Sequence, residues 1–221
     1  DEMTQTWTQR GLQASIEPRD PIKNEPLATD EQWIQRSLWD TWNAGAGNIN
    51  DALKRIDTRM KIVTLDPGAS AATDNTARAV SFAKVMHGLN MGYVALSQDR
   101  AAPANEKTEI PTAYDDLLAW ERDNMKPYTD VLKVAIASLD EAITYMDGAP
   151  NFTIPDTWIN GQSLTKADLR QWANTIAARL LIYAARTPEE RAQVDWNKIL
   201  KYTQDGLTID IGPTLTSGVV T

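Results

Sequence analysis

Few side chains in this chain could do chemistry, and their scarcity is informative. It has one histidine, His87, and no cysteine. Without cysteine there is no disulfide, no thiolate zinc site and no cysteine nucleophile. With one imidazole, a two- or three-histidine metal site cannot form within the chain. A Ser-His-Asp triad would have to run through His87. That residue follows Met86 and precedes Gly88 on an apolar helical stretch, the setting of a packed histidine. Carboxylates occur as the adjacent pairs Asp115-Asp116 and Asp140-Glu141. Adjacent helical residues point in different directions, so neither pair makes an acid–base dyad alone. A two-carboxylate glycosidase site would need distant residues brought together. There is no P-loop, no dinucleotide glycine fingerprint and no HExxH. Asp66-Pro67-Gly68 lacks the acidic spacing of a calcium loop. The expectation is therefore no catalytic residue, no metal and no cofactor. Asn151-Phe152-Thr153 is a glycosylation sequon, which matters only in a eukaryotic secretory host.

Tryptophan is abundant, with 8 residues. An indole face stacks on sugars and other flat ligands while its N–H finds a polar partner. Trp42, Trp172 and Trp196 fall on regular helical stripes and read as packing residues. Trp158 differs, because it lies with Phe152 in a long loop among polar residues. Phe152 and Trp158 are the candidate ligand-binding residues, with anchoring of the loop as the competing reading.

The bulk composition bounds what such a site could serve. At 221 residues the chain suits one large domain or slightly more. Hydrophobic residues at 42% and charged residues at 24% are ordinary for a globular protein. A net charge of -8 without a basic block argues against nucleic acid and against anionic lipid as partners. No run reaches the roughly 18 consecutive apolar residues of a membrane helix. Asp1-Glu2-Met3-Thr4 is not a signal peptide, and a mature exported chain would read the same way.

The elements that must position these residues are helical. Residues 1–29 are polar, carry Pro18, Pro21 and Pro26, and read as an extended lead-in. Thr29-Asp30 opens a helix with Ile34, Leu38, Trp42, Gly45, Ile49, Leu53 and Ile56 at spacings of three and four. The run Ala44-Gly45-Ala46-Gly47 predicts a bend or break in it. Asp66-Pro67-Gly68 is a turn. The next helix, 73–97, has the stripe Ala79, Phe82, Ala83, Met86, Leu89, Tyr93 and Leu96. Gly88 and Gly92, one turn apart, would let a neighbouring helix approach. A polar loop covers 98–111 and a short helix 113–120. Leu132, Ala135, Ile136, Leu139, Ala142, Ile143 and Met146 form the cleanest helical repeat, ended by Asp147-Gly148.

After a loop over 148–164, Thr165 and Asp168 make a capping box. The stripe Leu169, Trp172, Ala173, Ile176, Leu180, Tyr183 and Ala184 follows. Thr187-Pro188-Glu189-Glu190 starts a last helix, lined by Trp196, Ile199, Leu200, Thr203 and Leu207. The tail from Asp210 reads as a loop or a ragged strand. The expected fold class is all-α, with about six helices in stacked antiparallel pairs and long loops. The hairpin Thr165–Leu207 has the size of a tetratricopeptide unit.

Several segments, taken in order, resemble the SusD/RagB family. Thr76-Ala77-Arg78-Ala79-Val80-Ser81-Phe82, leading to Gly92-Tyr93-Val94-Ala95-Leu96, resembles its Ala-Arg-rich aromatic helix, with Ala95 where that motif has proline. Tyr114-Asp115-Asp116-Leu117-Leu118 and Leu139-Asp140-Glu141-Ala142-Ile143 resemble its "DL-x-x-A" region. Thr165-Lys166-Ala167-Asp168-Leu169 running to Ala177-Ala178-Arg179-Leu180-Leu181 resembles its "T-K-x-A-A-x-x-L-L-A-R" helix. Val194-Asp195-Trp196-Asn197-Lys198-Ile199-Leu200 resembles the "W-x-K-V" helix after it. The segment from Trp39 to Ile56 resembles an early "W-x-x-x-Y-x-x-I-x-x-A-N" helix, with Ala46 where an aromatic is common.

The resemblance implies a SusD-like, tetratricopeptide-like scaffold domain over 30–210, preceded by the segment 1–29. Residues 211–221 would lead into a missing C-terminal part, since chains of that family are usually more than twice this length. It further implies an outer-membrane, surface-facing lipoprotein of bacteria. Its lipid anchor would be absent from this chain. Such a protein binds an oligosaccharide or peptide and hands it to a TonB-dependent, SusC-like transporter, without catalysis. A helical-repeat scaffold for protein partners and a glycan-active enzyme are the two alternatives.

Overall fold

The computed structural model describes residues 33–57, 60–64, 70–159 and 161–208, the side chains of 33–39 excepted. The expected lead-in 1–29, the Asp66-Pro67-Gly68 turn and the tail after Asp210 lie outside the described residues. The chain divides into two units, Asp1–Ala44 and Gly45–Thr221. Of the first, the structure describes the backbone of residues 33–44, all helical.

The fold is all-α. Its described helices are α1 (Trp33–Asp57), α2 (Thr76–Ser97), α3 (Tyr114–Asn124), α4 (Tyr128–Gly148), α5 (Lys166–Ala184), α6 (Pro188–Ala192) and α7 (Trp196–Gln204). Three two-residue antiparallel bridges staple the connections. They are β1–β2 (Val63–Thr64 with Thr73–Asp74), β3–β4 (Arg100–Ala101 with Lys126–Pro127) and β5–β6 (Thr153–Ile154 with Leu164–Thr165). A single 3-10 turn, Asp156–Trp158, sits between β5 and β6.

The break expected at Ala44-Gly45-Ala46-Gly47 does not occur, because α1 runs unbroken through it. Its buried positions beyond Ala44 are Ala46, Asn50 and Leu53, one helical stripe. An added Cβ on Gly45 would lie 2.6 Å from Oδ1 of Asn90 on α2, so Gly45 marks a close approach. A packed neighbour outweighs the roughly 1 kcal/mol that glycine costs inside a helix.

Helix α2 differs most from expectation. The predicted stripe of Ala79, Phe82, Met86, Leu89 and Tyr93 is only half-buried. The buried residues are instead Val80, Ser81, Val85, His87, Gly88, Met91, Gly92, Val94 and Ala95. The reason is that α2 packs against both α4 and α5, so no single face is the core face. Small residues create the contact. A Cβ on Gly88 would lie 2.5 Å from Cγ of Leu139 in α4, and one on Gly92 would lie 2.3 Å from Cδ1 of Leu180 in α5. Each glycine thus admits a leucine from a different helix.

Helix α4 follows its pattern closely. Ala135, Ile136, Leu139, Ala142 and Met146 are buried, joined by Val131 and Ser138. It runs antiparallel to α2, since Lys84 reaches Glu141 while Gly88 meets Ala135 and Leu139. The α2–α4 contact is the most extensive among the described elements. Helix α5 opens on the expected capping box, Thr165 with Asp168. Tyr183, predicted to be buried, is 59% exposed.

The last helix is two helices. The Thr187–Glu190 capping box forms as expected, but its helix ends at Ala192. Asp195 then accepts the Lys198 amide at 3.0 Å and caps α7 anew. The restart turns Trp196 and Leu200 outward, to 56% and 54% exposure, while Ile199 and Tyr202 are buried.

Candidate functional site

His87 is fully buried, at 0% exposure. Its Nδ1 lies 3.0 Å from Ser138 Oγ, and that hydroxyl lies 3.1 Å from the Lys84 carbonyl. The single Ser138 proton goes to the carbonyl, so His87 Nδ1 is the donor in this arrangement. Nε2 is buried and has no hydrogen-bond partner of ordinary geometry. Burial holds the imidazole pKa below its ordinary value, although Glu106 and the Ala104 carbonyl pull the other way. A histidine and a serine are therefore paired, but substrate cannot reach either, and the serine proton is committed elsewhere. Above the pair, Lys84 bridges Glu106 at 3.1 Å and Glu141 at 2.6 Å. Burial alone would lower the Lys84 pKa. The bonds to Glu141 and Glu106 outweigh it and hold the ammonium. This cluster pins the loop after β3 onto α2 and α4.

The adjacent carboxylates separate as expected. Glu141 engages Lys84, whereas Asp140 accepts the Tyr202 hydroxyl at 2.5 Å. Burial, then the Asp140 bond, pushes the Tyr202 phenol up. Asp115 and Asp116 stand exposed in the first turn of α3.

The two sequence candidates, Phe152 and Trp158, lie on the loop between α4 and α5. That loop is held at several points. Ile154 and Leu164 are fully buried in the β5–β6 bridge. The Lys166 ammonium donates to the Ala149 carbonyl at 2.7 Å, and the Lys166 amide donates to the Phe152 carbonyl at 3.0 Å. Gly161 turns the chain at φ 89°, a conformation that favours glycine. Phe152 is half-buried, and Trp158 is 41% exposed. They do not stack on one another. Trp158 instead meets Phe82 of α2, with centroids 5.2 Å apart and planes at 54°. The Arg78 guanidinium lies 5.3 Å from the Trp158 ring centroid, and its Nη1 donates to the Thr153 carbonyl at 3.4 Å. Arg78 Nε is buried without a hydrogen-bond partner. Trp158 therefore anchors the loop and still presents an open surface. The sequence reading missed the part played by Arg78 and Phe82. They stand about one helical turn apart on α2, far from the loop along the chain, and no local pattern links them to it.

A groove of about 260 Å³ opens where the start of α4, the end of α5, α6 and the start of α7 meet. It is lined by apolar Leu132, Leu181, Val194 and Ile199, and by Tyr128 and Lys198 among its polar residues. Beside it Arg186 donates to the Ala95 and Gln98 carbonyls, each at 2.9 Å, and pairs with Asp99 at 2.6 Å. Its guanidinium lies 3.8 Å from the Tyr128 ring centroid. The Tyr128 hydroxyl in turn donates to Glu190 at 2.5 Å. The ends of four helices are tied here.

Among the described residues, no cluster of three acidic or histidine side chains is placed to hold a metal ion. No described helix is long and apolar enough to cross a membrane. No protein-family model, curated protein or solved structure matches the chain.

Proposed function

We propose that this chain is the helical scaffold part of a SusD/RagB-like nutrient-binding protein. It acts at the bacterial cell surface beside a TonB-dependent transporter, binding glycan without transforming it. The helix pairs would then form a tetratricopeptide-like stack. One observation carries the reading: four of the SusD-like segments, in order, coincide with working parts of the described helices. The Thr76–Phe82 segment, with Gly92–Leu96, lies on the central helix, where Gly92 admits Leu180. The Leu139–Ile143 segment is its antiparallel partner. The Thr165–Asp168 segment is the capping box of α5. The Asp195–Leu200 segment is the capped start of α7.

The test is cross-linking in intact cells of the source organism, followed by purification of this protein and mass spectrometry of its partners. A TonB-dependent transporter cross-linked at the cell surface is the expected result. Recovery from the cytosol with no such transporter would sink the reading.

The scaffold alternative draws on the exposed apolar residues. Tyr114 is 72% exposed, Tyr183 59% and Trp196 56%. The same residues suit the transporter-bound form, so they do not separate the two. For an enzyme, the buried His87–Ser138 pair offers no reachable nucleophile.

A further inference from the structure

We infer that Arg78 and Trp158 form a subsite for an acidic sugar, a uronate unit within an oligosaccharide. The inference rests on the glycan-binding reading and adds the class of glycan.

Three observations carry it. Trp158 is the loop's large aromatic surface, and 41% of the residue is open although Phe82 and Arg78 lie against it. With Arg78 over the ring and Phe82 tilted against it, a sugar would meet the part of the indole that these two leave open. Next, Arg78 makes no ion pair among the described residues. Its recorded hydrogen bond is the long one to Thr153, and Nε has none. A guanidinium presents five N–H donors in a fork that matches a carboxylate. Nε is buried and closed to a ligand, so the free donors are those of the terminal Nη groups; the comparable Arg186 is occupied by three carbonyls and Asp99. Finally, the platform is held in place before any ligand arrives. The β5–β6 bridge, the Ser163 hydroxyl bonded to the Ile154 carbonyl at 3.0 Å and the Lys166 bonds fix the loop. Preorganisation of this kind lowers the entropic cost of binding. Exposed Thr153 and Thr157 stand in the same loop with hydroxyls for sugar contacts.

Asp156 is exposed two positions before Trp158, yet it forms no ion pair with Arg78. Overall charge disfavours a long polyanion, so the subsite fits a uronate unit within a short or partly neutral glycan better than a densely sulfated chain.

The experiment is calorimetric titration of the intact chain with an oligogalacturonate and with its fully methyl-esterified form. The two share every ring and hydroxyl and differ in charge. The free acid is expected to bind roughly tenfold tighter, the scale of one charge-assisted contact. Raising salt from roughly 0.05 to 0.5 M should remove most of that difference. Trp158→Ala should weaken both forms. Arg78→Gln should bring the two to the same affinity, with Arg78→Lys intermediate and a melting curve confirming the fold. Equal affinity of acid and ester for the wild-type chain overturns the inference even if a variant fails to fold. So does tighter binding of an oligoglutamate peptide than of the oligogalacturonate. Either result leaves the nutrient-binding reading in place, because that reading stands or falls on the transporter.

Discussion

At the scale of single residues, His87 makes the clearest demand on pH. Its folded pKa lies below the ordinary value of 6.5, chiefly through burial. The unfolded chain therefore binds this proton more readily than the folded one. Stability from this group is complete above about pH 6.5 and is lost as pH falls from there through the folded pKa. Melting temperature should fall between pH 7 and pH 5, before Glu106, whose pKa is lowered, begins to titrate. His87→Leu should flatten that part of the profile, since Ser138 keeps its bond to the Lys84 carbonyl. An unchanged slope in thermal melts of the variant would show that another group is responsible. The glycines of α2 make a steric demand of the same precision. Gly88→Ala and Gly92→Ala should each cost about 1–3 kcal/mol, because overpacking exceeds the helix-propensity gain of about 1 kcal/mol. Gly88→Ala should be the worse of the two, as its Cβ also meets the Ala135 carbonyl at 2.9 Å, which cannot swing away. Urea unfolding would measure both. Combining Gly88→Ala with Leu139→Ala should cost less than the sum of the two.

At the scale of elements, helix ends decide more than helix middles. Arg186 satisfies carbonyls at the end of α2, stacks on Tyr128 at the start of α4 and stands just past the Ala185 cap of α5. Lysine can offer the charge but not the fork. Arg186→Lys should therefore destabilise by about 1–3 kcal/mol, the cost of leaving those carbonyls unmet. A smaller loss, within error of wild type in chemical denaturation, would mean that water replaces the fork at no cost. The capping boxes invite a parallel comparison. Thr165→Ala and Thr187→Ala should each cost about 1 kcal/mol as caps. The first opens a 19-residue helix, whereas the second opens a 5-residue one. Hydrogen exchange should show the second loss confined to α6 and its neighbours. The acidic start of α2 is similar. Asp74 accepts the Thr76 amide at 2.9 Å, and its bonds to Thr76, aided by Lys61, hold its carboxyl down to about 2. That cap should persist until strongly acidic pH.

At the scale of the whole molecule, the described surface carries several large apolar side chains. Trp196 and Leu200 are more than half exposed on α7, and Tyr183 is exposed on α5. Replacing any of the three by serine should change the stability of the isolated chain by about 0.5 kcal/mol or less, as surface substitutions do. The same changes should lower recovery of the cross-linked transporter if these residues meet it. A large loss of stability in the isolated chain would instead show that they pack within it. Cross-linking yield and melting temperature, taken on the same variants, separate the two.

Much of the helical content was legible because period and punctuation agree. The α4 stripe from Ala135 to Met146 repeats every three to four residues, and the Thr165 and Thr187 boxes are local, so neither needs the rest of the chain. The absence of cysteine and the single histidine likewise bounded the chemistry without coordinates. Tertiary structure alone decided which face of α2 is buried. Glycines carry no apolar signal, and their value there comes from Leu139 and Leu180, far along the chain. It alone turned Trp196 outward, because a cap at Asp195 reset the helix. It alone set Arg78 over Trp158. The sequence spaces two residues on one helix by their period, but only the packing of α2 against the loop can bring a guanidinium to an indole eighty residues away.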